Sequence, residues 1–99
     1  MARWAWGRRR RIPKALDGTL AGLEIGEQAV IREIKAGHGA LRRLADMGLV
    51  PGTVVRVLRR GPFGGPIEIE VRGTSLALGY GLASRILVER RQETVEKET

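Results

Sequence analysis

The sequence predicts a small, mainly β domain, a barrel or sandwich of about five short strands with one short α-helix inserted among them. Short apolar runs with a period of two recur between residues 28 and 89. Glycine-containing turns separate them at close intervals, and one segment near residue 44 carries a helical period instead. Closing such a sheet would remove most of the free edges that expose a small all-β domain to mispairing.

The first strand is expected over residues 28–35, where Val30 and Ile34 share one face with Arg32 between them and Ile31 lies on the other. "AGHG" then ends it. Residues 40–47 read as the helix: Leu41, Leu44 and Ala45 stand at i, i+3 and i+4, and Arg42 and Arg43 face away. Gly48 is placed as the left-handed residue after the helix and Leu49 as the apolar residue that follows it, the pattern of a Schellman stop. In "VPG", Pro51 sets φ for a turn and Gly52 accepts the conformation that a side chain resists. Gly48, Pro51 and Gly52 are therefore read as structural turn residues.

Two strands follow, over Thr53 to Arg60 and Pro66 to Arg72, with "GPFGG" as a longer, mobile loop between them. The second alternates strictly, placing Ile67, Ile69 and Val71 inward. "RGTS" turns the chain into a strand carrying Leu76 and Leu78, and "GYGLAS" makes a turn or a single helical turn before a last strand, Arg85 to Glu89. Val30, Val55, Val57, Ile67, Ile69, Val71 and Ile86 are the expected aliphatic core.

Ninety-nine residues, 42% of them apolar, hold one domain with a modest core. The absence of cysteine excludes disulfides, thiolate metal sites and a thiol nucleophile. No apolar run approaches the roughly 18 to 20 residues that span a bilayer, so no transmembrane segment is expected and the chain reads as cytoplasmic. The net charge is +7, but its placement is uneven. Residues 1–14 hold five arginines and Lys14 with no acid, whereas residues 15–88 hold nine basic and seven acidic residues. The expected organisation is a basic flexible arm at 1–14, the barrel at 15–89, and a frayed charged tail at 90–99.

Chemistry-bearing residues are sparse. His38 is the single histidine, set between two glycines, and Ser75 and Ser84 have no histidine to activate them. The glycines of "GPFGG" lack the Lys-Ser/Thr and helix of a phosphate-binding loop. The reading is a protein that is not an enzyme, with no catalytic residue, no cofactor and no metal site. Two binding readings remain. The arm "RWAWGRRRRIPK" offers arginines for phosphates and tryptophans for stacking, which suits a small nucleic-acid-associated protein. The helix exit offers a docking surface for a protein, with Leu44, Met47 and Leu49 as apolar candidates and Arg42 and Arg43 as a charged rim. With no basic stripe on the domain itself, the protein partner is preferred to the nucleic acid.

Three motifs in order carry a family resemblance: "LADMGLVPG" at 44–52, "GPIEIEVRG" at 65–73, and "LALGYGLASRILV" at 76–88. Over residues 25–89 the chain resembles the FeoA family of small ferrous iron transport proteins. The resemblance implies an SH3-like β-barrel with the short helix inserted between early strands. It also implies a non-enzymatic role assisting FeoB, the membrane permease for ferrous iron, by contact with its cytoplasmic, GTP-binding part. On that reading the chain reaches the membrane only through its partner.

Overall fold

The structure is a computed structural model that describes residues 18–91. The expected arm at 1–14 and all but the first two residues of the expected tail lie outside the described residues. The chain enters through a short 3-10 helix, Leu20–Gly22, followed by β1 (Gln28–Ile34), α1 (His38–Asp46), β2 (Val54–Arg60), β3 (Ile67–Val71), β4 (Thr74–Leu78), α2 (Tyr80–Ala83) and β5 (Ile86–Arg90). The five strands form one antiparallel sheet in the order β4-β3-β2-β1-β5. The fold is mainly β and barrel-like, but β4 and β5 do not pair with each other, so the barrel stays open between them.

One apolar cluster fills the inner face, with Ile31, Val55, Val57, Ile67, Ile69 and Ile86 all fully buried. Each such side chain contributes roughly 1.5–3 kcal/mol relative to exposure, so the aliphatic pattern suffices to hold the sheet together. Leu20 and Leu23 from the entry segment, Leu44 from α1 and Ala83 from α2 close the cluster from its rim.

The first strand corrects the expected face. Ala29 and Ile31 are buried, and Val30 is only partly so, opposite Val54 on the outer side. The cause is a β-bulge. Ile31 pairs with Val88 and Glu33 with Leu87, so β1 advances two residues where β5 advances one. The extra residue, Arg32, lets Ile31 and Ile34 both point inward although they stand three apart. A second bulge on β2, between Val57 and Arg59, shifts its register against β3 in the same way.

The helix begins two residues earlier than expected, so His38 lies in its first turn and is exposed. Ala45 is exposed as well, and the inward stripe of α1 narrows to Leu44 with Leu41 packed beside it. The "GPFGG" loop is a hydrogen-bonded turn in which Gly65 N–H donates to Pro62 C=O at 3.0 Å and Gly61 N–H to Pro66 C=O at 2.8 Å. β5 runs through Arg90, one residue beyond the expected strand.

Candidate functional site

The segment from Leu44 to Thr53 is fixed at every step. Gly48 N–H donates to Ala45 C=O and Leu49 N–H to Leu44 C=O, both at 2.9 Å, which is the paired bonding of a Schellman stop. Gly48 sits at φ +91°, where an L side chain is strained. Thr53 N–H then donates to Val50 C=O across a turn with Pro51 and Gly52 at its centre, and Gly52 takes φ +96°. The Thr53 hydroxyl donates to Gly48 C=O at 3.1 Å and ties the start of β2 back to the helix stop.

This bonding sorts the candidate docking residues. Leu44 and Leu49 are 2% and 1% exposed and belong to the core, which removes both from any docking surface. Met47 stands between them in sequence and is 46% exposed. Arg42 and Arg43 are exposed on the outer side of α1, with Arg43 in its last turn, where a cation suits the helix dipole. Within the expected set, therefore, Met47 is the exposed apolar side chain and Arg42 and Arg43 are exposed cations.

The structure adds a neighbour that sequence reasoning missed. The β3–β4 turn is Arg72–Gly73, with φ of 52° and 79°, the left-handed pair of a type I′ hairpin. It folds against the helix stop: a Cβ placed on Gly48 would lie 3.6 Å from Val71 Cγ1 and 3.8 Å from Arg72 Cδ. Between the helix exit and β4 runs a groove of about 420 Å³ lined by Met47, Arg72, Thr74, Ser75 and Leu76 among others. A second groove of similar size, about 420 Å³, lies on the other side of Arg72, against Val54, Arg56, Glu70 and Gln28. Arg72 thus borders both. The dipeptide Arg-Gly marks a two-residue turn, but nothing in the local pattern places that turn beside Met47.

Ion pairs tie neighbouring strand segments together on the outer surface. Arg32 pairs with Glu89 at 2.7 Å, Arg59 with Glu68 at 3.0 Å and Arg90 with Glu27 at 3.1 Å. Among the described residues no group of three His, Cys, Asp or Glu side chains is placed to hold a metal ion. Among them, too, no helix is long and apolar enough to cross a membrane.

The sheet order, the inserted helix and its glycine stop can now be set beside known proteins. The family model of the FeoA domain matches residues 18–90. The chain belongs to the FeoA family. It is 38% identical over 79 residues to a protein of Methanocaldococcus jannaschii assigned as an Fe(2+) transport protein A, covering 80% of this chain and 94% of that one. FeoA structures match the fold, two of them as follows. The Chlorobium tepidum protein is 33% identical with a TM-score of 0.71, covering 79% of this chain and 74% of its own. Stenotrophomonas maltophilia FeoA, solved in complex with zinc and described as a procaryotic SH3 domain protein, is 33% identical with a TM-score of 0.60, covering 72% of this chain and 88% of its own. The SH3-like fold class thus stands for this FeoA-family chain.

Proposed function

We propose that this FeoA-family chain is a non-catalytic interaction module of ferrous iron uptake, acting in the cytoplasm on a FeoB-type permease. It docks on the permease's cytoplasmic part through the surface around Met47. The observation that carries this reading is the exposure of Met47 beside Arg72, at the rim of a groove whose walls are held by the helix stop and the β3–β4 turn. A flexible, polarizable side chain on a rigid base, with cations around it, suits the apolar centre and polar rim of a protein interface.

Family membership supports the iron-transport setting, and the scarcity of chemistry-bearing groups supports a binding role over a catalytic one. The ion pairs on the outer sheet face favour a protein partner over nucleic acid, because those cations are already matched by carboxylates. The test is a pull-down of the permease's cytoplasmic part by the full chain. Capture by the parent chain and weakened capture by Met47→Ser support the reading, whereas no capture by the parent chain removes it.

A further inference from the structure

We infer that the outer edge of β4 is a second element of this docking surface, taking an extended segment of the partner as an added strand. The inference rests on the docking reading above and goes beyond it by naming the form in which the partner binds.

β4 pairs with β3 on one side, and among the described residues no other backbone group bonds to residues 74–78. The two-residue turn at Arg72–Gly73 makes Val71 and Thr74 the bonded closing pair of the hairpin. Bonded and non-bonded pairs alternate along an antiparallel ladder, so Leu76 and Leu78 also bond to β3. The N–H and C=O groups of Ser75 and Ala77 consequently point away from the sheet, and both residues are exposed.

Among the described residues, nothing protects this edge against strand addition. "TSLAL" contains no charge and no proline, and its register against β3 is unbroken. The opposite edge of the sheet carries charge, has a broken register and is covered by the entry segment. Thr19 bridges to Leu87 beside β5, Val88 N–H donates to Gly18 C=O at 2.8 Å, and the strand ends in Glu89 and Arg90. Among the described residues, one edge is covered and charged, and the other is open and neutral.

The surroundings of β4 specify the occupant. A residue opposite Leu76 would point to the inner side, next to the groove that Met47 borders, and an apolar side chain suits it. Toward the Thr74 end, Arg72 and Asp46 both line the groove, which suits a polar residue that can meet either charge. Ser75 and Ala77 are small and leave the outer side unobstructed. The segment is therefore extended and apolar at its centre, with a polar residue at the end that meets Arg72 and Asp46. A second copy of the chain is the weaker fit. A five-residue strand spans only about 17 Å, and its edge falls far short of the roughly 800 Å² per partner of a stable interface. A segment belonging to a partner already held at Met47 adds at high effective concentration and needs no such area.

The test is amide hydrogen exchange on the full chain, free and bound to the permease's cytoplasmic part, together with affinity for Met47→Ser and Ala77→Pro. Binding should slow exchange at Ser75 and Ala77 on the order of 100-fold. Ala77→Pro, which removes an N–H that β3 does not use, should weaken binding about tenfold. The exchange readout uses the unaltered chain and stands even if the proline variant misfolds. If the partner binds and Met47→Ser weakens it while both amides exchange as in the free chain, docking stands and strand addition is overturned. If the parent chain does not bind at all, both readings fall. Protection of these amides in the free chain that grows with its concentration would identify a second copy as the occupant and overturn the inference.

Discussion

The N–H of Leu49 donates to the carbonyl of Leu44 at 2.9 Å, and both leucines lie in the core while Met47 between them faces solvent. One backbone arrangement therefore anchors the helix and presents its exposed apolar side chain. On the proposed docking, stability and binding are separable at this site because neighbouring residues would carry them.

Gly48→Val should destabilise the fold by more than about 1–2 kcal/mol, since residue 48 lies at φ +91° and a β-branched side chain adds to the ordinary left-handed penalty. The space is not the obstacle, because the nearest atoms to an added Cβ are at ordinary contact distance. Urea melts of Gly48→Val and Gly48→Ala should both fall below the parent, with valine lower. Coincident melts would contradict the assignment of the helix stop.

The bulge on β1 gives the next prediction. Ile31→Ala should cost roughly 2–5 kcal/mol as a cavity-forming change, and Val30→Ala, at a partly exposed position, well under half of that. A plain two-residue alternation with Val30 inward predicts the opposite order. Thermal or urea melts of the two variants decide between them.

A third prediction follows from the aliphatic core. Thermal melts of the full chain with and without chelator should coincide, because the buried cluster of apolar side chains needs no ligand to hold it. A fall in melting temperature of more than about 10 °C, at least 1 kcal/mol or so for a domain of this size, would show that a metal contributes to the fold.

Much of the architecture was legible in the residues. The strict alternation of Ile67, Ile69 and Val71 specifies β3, and all three are buried. The Leu-x-x-Met-Gly-Leu spacing carries the helix stop, because glycine in a left-handed position followed by a core leucine is a local requirement. The bulges were not legible. Arg32 and Leu58 are ordinary strand residues, and the extra step each strand takes arises from pairing with a distant neighbour. Ala45 was not legible either: its helical spacing fits an inward stripe, but it is exposed. Arg72 was the largest omission at the site: its left-handed φ belongs to the two-residue turn, but its place beside Gly48 comes from the hairpin folding onto the helix exit. The openness of β4 likewise depends on which strands end up at the sheet margins, a property of topology that no single segment encodes.

The most direct measurement of the central claim is the affinity of the full chain for the permease's cytoplasmic part, by calorimetry, for the parent, Met47→Ser, Arg43→Glu and Phe63→Ser. Phe63 is fully exposed in the "GPFGG" turn and Met47 lies at the helix exit, so the two report on different surface segments. Met47→Ser and Phe63→Ser should melt within about 0.5 kcal/mol of the parent, as surface changes do, and Arg43→Glu within about 1–2 kcal/mol, because it reverses a favourable charge in the last turn of α1. The account predicts about tenfold or greater loss of affinity for Met47→Ser and a clear loss for Arg43→Glu. It predicts parent-like binding for Phe63→Ser and a smaller loss on deletion of residues 1–14. Folded Met47→Ser and Arg43→Glu variants that bind like the parent, with Phe63→Ser impaired, would contradict it and move the docking surface to the "GPFGG" turn.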